Sequence, residues 1–185
     1  MKTIYSFLLS LCCLSAFAQT INPYFTSGTA PDGPGQASQC LSVAVGGGNP
    51  DWVTSDWTST DRPCLGLMVW SESSERDWVS IRLEDSLELG RKYAVRIAFK
   101  SSPESRYIVD GLELYAGGRH LWPLVTTDWT SLCDTFTCTR ARMDVLLGSL
   151  SPTQINPPKR PALGEEEHSK VWVSEVQIVP VGMPF

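Results

Sequence analysis

The sequence predicts an all-β protein, folded as an antiparallel β-sandwich of about eight short strands. Residues 79–83 and 93–99 alternate apolar and polar side chains with a period of two, which places one set on each face of a sheet. Further short apolar segments are separated by turns rich in glycine and proline, and we find no amphipathic helix of useful length and no internal repeat. These observations favour two packed sheets over a helical or mixed fold.

The clearest elements are residues 77–83 and 93–100, which a connection with a Gly90 turn joins. We expect them to form a half-buried antiparallel strand pair. Four polar residues are then expected on one sheet face, which is either the solvated side of the sandwich or a binding face for an anionic glycan: Ser80, Arg82, Arg96 and Lys100.

Before this pair, residues 22–25 are expected to form an edge segment, because Pro23 cannot donate a ladder hydrogen bond. Residues 40–45 are expected to form a strand that ends in the glycine-rich turn 46–50. Residues 51–63 are predicted as a polar loop, and residues 64–70 as the next strand.

After the pair, residues 106–115 are predicted as a strand bent at Gly111. Residues 129–139 are expected to form a strand with a loop clipped by cysteines, and residues 142–148 another strand. A long proline-rich connection, 149–169, precedes a closing strand at 171–179.

The first 18 residues have the pattern of a secretory signal peptide. Lys2 precedes a mostly apolar stretch at 4–14, and Ala16-Phe17-Ala18 is a suitable cleavage site. The alternative, a lipoprotein modified at Cys12 or Cys13, has poor small residues before the cysteine. We therefore expect residues 19–185 to form a single exported domain, in the periplasm, at the cell surface or outside the cell, with no transmembrane segment.

The charge balance excludes some classes of partner. The formal net charge is −5, and loss of Lys2 with the signal peptide would make it −6. No basic run stands out in the sequence. An acidic domain of this kind is not expected to bind nucleic acid or an anionic membrane surface.

Four cysteines remain in the mature chain: Cys40, Cys64, Cys133 and Cys138. An even number in an exported chain predicts two disulfides. Three pairings are possible, and we favour Cys40 with Cys64 and Cys133 with Cys138, because the second two are only five residues apart. The alternative, a metal site, lacks paired C-x-x-C spacing.

Several motifs in this order resemble a known family. They are Asn22-Pro23-Tyr24-Phe25, the 77–99 pattern with Leu89-Gly90 and Tyr93-Ala94-Val95, Asp128-Trp129-Thr130-Ser131-Leu132, and Val145-Leu146-Leu147-Gly148. Together they resemble galactose-binding-like and carbohydrate-binding-module-like jelly-roll domains of exported bacterial proteins, over roughly residues 21–180. The resemblance implies a jelly-roll sandwich and a carbohydrate ligand.

Members of this family often hold a structural calcium ion with carboxylates. Here Thr26 stands where the family pattern often has Glu, and Ser174-Glu175 stands where it often has Asp-Asp. Because calcium needs six to eight oxygen ligands, we predict no metal and no cofactor, although Glu175 and Asp110 remain available.

The loop at 51–63 is the predicted ligand site. Trp52 and Trp57 are proposed as stacking platforms for sugar rings, and Asp56, Asp61 and Arg62 as hydrogen-bonding partners for hydroxyl groups. The alternative is that one or both tryptophans fold back onto the edge of the sandwich. Trp78, Trp129 and Trp172 lie in strand patterns and are expected in the core or on a sheet surface.

The sequence therefore favours an exported, non-catalytic carbohydrate-binding module. The alternative is a structural or protein-interaction domain of the cell surface, since fold alone does not decide function. A small hydrolase is the third hypothesis, although the sequence has no G-x-S-x-G or H-E-x-x-H motif.

Overall fold

Two five-stranded antiparallel sheets make up the computed structural model, which describes residues 20–29, 33–54, 61–71, 76–108, 111–121, 126–150, 160–161 and 168–185. A single turn of 3₁₀ helix at Ala37–Gln39 precedes the strands. The described strands are β1 Val43–Gly47, β2 Asp51–Val53, β3 Cys64–Ser71, β4 Trp78–Leu87, β5 Lys92–Ser101, β6 Tyr107–Ile108, β7 Glu113–Ala116, β8 Arg119–Leu121, β9 Thr130–Thr137, β10 Arg142–Gly148, β11 Arg160–Pro161 and β12 His168–Pro180. The all-β sandwich is confirmed, with more strands than expected.

The first sheet has the strand order β1-β4-β10-β7-β8, and the second has the order β2-β3-β12-β5-β9. The short strands β6 and β11 form a separate antiparallel pair. Apart from the consecutive pairs β2-β3 and β7-β8, neighbouring strands come from distant parts of the chain, so long-range pairing assembles most of each sheet face. In the described part of the chain, no helix has the length and apolar character needed to cross a membrane.

The core lies between the two sheets and is filled by alternate side chains of their strands. Val79, Ile81 and Leu83 of β4 are at most 1% exposed, and they belong to the same cluster as Val95 and Ile97 of β5. Burying a side chain of this size contributes roughly 1.5–3 kcal/mol. The period of two in the sequence therefore identified the inward faces correctly.

The strand pair predicted from residues 77–100 is wrong in one respect. β4 pairs with β1 and β10, whereas β5 pairs with β12 and β9. The two strands lie in opposite sheets, because alternation specifies which side chains face the core and not which strand lies alongside. Consequently Ser80 and Arg82 do not share a face with Arg96 and Lys100.

The expected disulfides are also absent: the four cysteines, all within the described residues, form no bridge. Cys133 is an exposed residue of β9, and the buried Cys138 lies just beyond the end of that strand. Five nearly extended residues separate Cα atoms by about 16 Å, far more than the roughly 4.4–6.8 Å of a disulfide.

Cys40 and Cys64 lie in different buried clusters. Cys40 belongs to the main core, where the Asn22 side-chain amide lies 3.4 Å from its sulfur, and burial raises the pKa of its thiol to about 12. Cys64 alternates with the core residue Leu65 and therefore points to the outer face of the second sheet, where it packs with Trp172.

One buried carboxylate connects the two sheets at an edge of the sandwich. Asp77, 5% exposed, accepts hydrogen bonds from the backbone N–H groups of Asn49 at 2.8 Å and Met68 at 2.7 Å. It precedes β4 of the first sheet, whereas Met68 is part of β3 in the second. Burial raises the pKa of Asp77, in opposition to these two hydrogen bonds.

Candidate functional site

The predicted tryptophan loop does not form a binding surface at Trp52. Residues 51–53 form strand β2 instead of a loop, and all three are buried. Trp52 is 3% exposed, and its indole N–H donates to the carbonyl oxygen of Phe25 at 2.8 Å. A ring enclosed in this way has no face for a sugar, so Trp52 is a core residue. Asp56 and Trp57 lie outside the described residues.

Asp61 and Arg62 are exposed, but their aromatic neighbour is Trp129. The Trp129 indole N–H donates to Asp61 Oδ1 at 2.7 Å, and the Arg62 guanidinium carbon lies 4.7 Å from the centre of the Trp129 ring. Hydrogen bonds from Arg62 and from Trp129 lower the pKa of Asp61 to about 2. The structure thus places both predicted residues, Asp61 and Arg62, against Trp129 on the outer face of the second sheet.

The outer face of the first sheet carries a different set of side chains. Alternation along the strands points Trp78, Ser80 and Arg82 of β4 outward, with Arg142, Asp144 and Leu146 of β10 and Tyr115 of β7. The registers place Leu146 opposite both Ser80 and Tyr115, and Asp144 opposite Arg82. These seven residues therefore form one continuous surface across three adjacent strands.

Trp78 leans away from the middle of this face and lies over β1. A Cβ atom at Gly46 would overlap the six-membered ring of Trp78, and one at Gly47 would meet its pyrrole edge. The two glycines thus provide the space that the indole occupies. Trp78 is half-buried, and it forms no hydrogen bond through its indole N–H to any described residue.

A hollow of about 420 Å³ opens beside Trp78. It is lined by Trp78, Tyr115, Arg142, Leu146 and Leu150, all of them partly exposed. Trp78 and Tyr115 come from strands on either side of β10, so that Leu146 lies between the two aromatic residues. The arrangement offers apolar walls with a cation at one end.

The cation is held in place by a polar network. Arg142 donates to both oxygens of Asp144, at 3.0 and 3.1 Å, and its guanidinium carbon lies 5.1 Å from the centre of the Tyr115 ring. The Ser80 hydroxyl donates to Asp144 at 2.6 Å. Burial raises the pKa of Asp144, but the hydrogen bonds from Arg142 and Ser80 outweigh burial and hold that pKa below its ordinary value.

A second hollow of about 460 Å³ lies on the same face, lined by Ser42, Val43, Ala44, Ser80, Arg82, Met143 and Asp144. Ser80 and Asp144 border it, and their hydrogen bond ties together the strands between the two hollows. Arg82 is exposed, and its guanidinium makes no ion pair with the described residues. The face thus has an aromatic half and a polar half.

Two of these residues, Ser80 and Arg82, were proposed as part of a polar sheet face, and Trp78 was assigned to the core or a sheet surface. Tyr115, Arg142, Asp144 and Leu146 were missed. Their positions in alternating strands would have placed them opposite the core-facing residues. Sequence alone does not show that β10 lies between β4 and β7.

The arrangement does not resemble a metal centre. Among the residues that the structure describes, no group of three or more His, Cys, Asp or Glu side chains could hold an ion. Glu175, a possible calcium ligand from the family resemblance, instead accepts a hydrogen bond from Arg96 at 2.6 Å. Asp110 lies outside the described residues.

Comparison with protein-family models and with curated proteins finds no match. Solved structures with a similar fold include a CBM4 module, with 12% identity, a TM-score of 0.46 and coverage of 74% of this chain and 93% of that chain. A CBM22-1 xylan-binding domain from Paenibacillus barcinonensis has 12% identity, a TM-score of 0.40 and coverage of 90% and 94%. A family 29 carbohydrate-binding module in complex with mannohexaose has 7% identity, a TM-score of 0.46 and coverage of 89% and 92%.

These proteins belong to the same class that the sequence motifs resemble. At these identities, and with TM-scores below 0.5, the similarities identify neither a ligand nor a binding residue in this chain.

Proposed function

We propose that this protein is an exported, non-catalytic carbohydrate-binding module, and that the glycan lies on the outer face of the first sheet. The observation that carries the proposal is the hollow between Trp78 and Tyr115, closed at one end by the fixed guanidinium of Arg142. This replaces the site expected around Trp52.

The chemistry of the hollow suits a sugar. A pyranose ring has an apolar C–H face that packs on an aromatic ring, and its hydroxyl groups need polar partners at the ring edge. Trp78, Tyr115 and Leu146 provide apolar contacts, whereas Arg142 provides hydrogen-bond donors. The side chains belong to paired strands, so little ordering is needed when the ligand binds.

The second hollow extends the face along β4. Arg82 follows Trp78 by four residues of strand, a distance of about 13 Å. A surface of this length, with Ser80 and Asp144 between its ends, suits several units of an extended glycan chain better than a single sugar. We therefore expect affinity to rise with oligosaccharide length.

The absence of catalysis is part of the proposal. Asp144, the carboxylate that lies between the two hollows, is engaged by Arg142 and Ser80, and its lowered pKa makes it a poor general acid. A hydrolase would need a second carboxyl group opposite the first across a cleft. The role that we assign to Asp144 is to hold Arg142 in position.

The experiment is a glycan-array screen of residues 19–185, with xylan-type and mannan-type oligosaccharides in the panel, beside the Trp78→Ala and Tyr115→Ala variants. Specific retention that both substitutions abolish supports the proposal. Retention that survives both substitutions contradicts the site, and no retention of any glycan would favour a protein-interaction domain of the cell surface.

A further inference from the structure

A third cavity, of about 550 Å³, lies away from both hollows, at the edge of the sandwich where the two sheets meet. Its lining comes from separate segments of the chain: Gly48, Asn49, Asp51, Met68, Arg76, Asp77 and Lys170. It shares no lining residue with the hollow beside Trp78. We propose that this cavity is a second binding site, for a single neutral sugar unit or the end of a glycan chain.

The walls of the cavity are fixed by buried carboxylates. Asp51 and Asp77 are 7% and 5% exposed. Asp77 accepts hydrogen bonds from the backbone of Asn49 and Met68, and Asp51 accepts one from the Gly35 backbone N–H at 2.9 Å. Asp77 thus ties two segments of the wall together, and Asp51 connects the wall to Gly35, so the cavity is formed before a ligand arrives.

Lys170 provides unused hydrogen-bonding capacity inside this wall. Its ammonium donates to Asp51 Oδ2 at 2.8 Å, and its side chain is only 17% exposed. An ammonium has three N–H donors, and among the described residues Asp51 alone accepts one. The ammonium also lies 5.6 Å from the centre of the Trp172 ring, and its N–H groups not bound to Asp51 can donate to the acceptor oxygens of a ligand in the cavity.

The charges indicate which kind of oxygen-rich ligand fits. Asp51 and Asp77 carry two negative charges, and Arg76 and Lys170 carry two positive charges, so the lining is neutral overall. A phosphate or sulfate would meet two carboxylates at close range. Hydroxyl groups both donate and accept, so a neutral sugar can pair with the lysine and with the remaining carboxylate lone pairs.

The size and composition agree with this ligand. The cavity falls within the roughly 300–1,000 Å³ of small-molecule sites. Met68 adds an apolar surface among the polar groups. An open sheet face accommodates the middle of a glycan chain, whereas a cavity at the edge of the sandwich suits a free sugar or a chain end.

The test is a titration of the isotope-labelled domain with neutral monosaccharides, glucose, galactose, mannose and xylose, followed through the backbone amide resonances. We expect at least one of these sugars to shift the amides of Gly48 and Asn49. We also expect the Arg76→Ala variant to bind that sugar about tenfold more weakly, because the substitution removes a charged hydrogen-bond donor from the lining. Removal of Lys170 alone would leave Asp51 buried without its cation, so the double variant Asp51→Asn with Lys170→Met removes both charges together.

The Trp78→Ala variant distinguishes sugar binding in this cavity from binding on the outer face of the first sheet. The proposal requires that the monosaccharide shifts at Gly48 and Asn49 persist in Trp78→Ala and disappear in the double variant, whose Tm confirms that it is folded. Absence of shifts at saturating sugar, shifts confined to the sheet face, or shifts that Trp78→Ala abolishes would each overturn it.

Discussion

On the outer face of each sheet a tryptophan packs over glycine of the neighbouring strand, but one of the two tryptophans borders an open hollow and the other is buried. In the first sheet, Trp78 lies over Gly46 and Gly47 of the neighbouring strand, and in the second sheet Trp172 lies over Gly66 of its neighbour. Trp78 remains half-buried beside an open hollow. Trp172 is 2% exposed, packed with Val53 and Cys64 beneath the partly buried Trp129.

The cationic side chains beside these tryptophans also differ: they leave the hollow open on the first face and cover the aromatic ring of Trp129 on the second. Arg142 is held by Asp144 at the end of the hollow, so the space between Trp78 and Tyr115 stays open. On the second face, the cationic groups of Arg62 and Lys100 lie 4.7 and 4.8 Å from the centre of the Trp129 ring. The comparison shows that a tryptophan on a sheet face indicates a ligand site only if its neighbours leave a ring surface uncovered.

The largest expected effect is on stability, at the second face. Trp172→Ala should lower the free energy of unfolding by about 3–5 kcal/mol, because it removes a fully buried indole. Urea denaturation measures the loss, with Trp78→Ala as the matched variant on the first face. A loss as large for Trp78→Ala as for Trp172→Ala would show that both residues are structural.

Gly46→Ala should have the next largest effect, on glycan affinity. The new Cβ would displace the Trp78 ring toward Leu146 and fill the hollow, so we expect about a tenfold or greater loss of affinity, equal to 1.4 kcal/mol or more. Isothermal titration calorimetry measures it, with Val45→Ala, an exposed residue of the same strand, as the control.

If Gly46→Ala acts by meeting the Trp78 ring, it should lower the free energy of unfolding of the wild-type domain but not that of Trp78→Ala, whose small side chain leaves room for the new Cβ. An equal loss of stability in both backgrounds, measured by urea denaturation, would mean that the substitution at Gly46 acts by some other route.

The polar network predicts a pH dependence of moderate size. The folded-state pKa of Asp144 is held below its ordinary value of 3.8, so the Arg142 interaction is present above that pH and is lost as the pH falls through the lowered value. Glycan affinity should be constant from about pH 8 to 5 and should decline below about pH 4.

Asp144→Asn should weaken binding about fivefold at neutral pH, as expected for loss of roughly 1 kcal/mol from a partly exposed ion pair. The variant should also flatten the acid limb of the pH profile. An unchanged acid limb in Asp144→Asn would assign the pH dependence to another group.

The smallest effect concerns the second face and involves no ligand. The pKa of Asp61 is about 2, so its hydrogen bond from the Trp129 indole should persist until the pH falls through that value. The indole N–H resonance of Trp129 in heteronuclear NMR spectra reports the change. In Arg62→Ala the midpoint should move toward 3.8, and in Asp61→Asn the transition should be absent.

The core faces of the strands could be predicted from the sequence because alternation is a local property. Val79, Ile81 and Leu83 alternate with polar residues, and all three are in the core. The partner of each strand could not be predicted in this way. β4 and β5 follow each other in the chain, yet they belong to opposite sheets.

Trp52 shows why the site was harder to predict than the fold. The short strand Asp51–Val53 is buried at every position, so it has no alternation to distinguish it from a loop. What encloses the indole is Phe25 and Gly28, from a distant segment of the chain. Likewise, the hollow requires β10 to lie between β4 and β7, an arrangement that no local pattern specifies.

The most direct test of the central claim is calorimetric titration of one oligosaccharide, identified by the array, into the wild-type domain and the Trp78→Ala and Trp129→Ala variants. We predict that Trp78→Ala abolishes measurable binding while Trp129→Ala leaves the affinity within about twofold of wild type, an energy difference below roughly 0.5 kcal/mol. Full binding by Trp78→Ala together with loss of binding in Trp129→Ala would contradict the claim and would place the ligand on the second sheet.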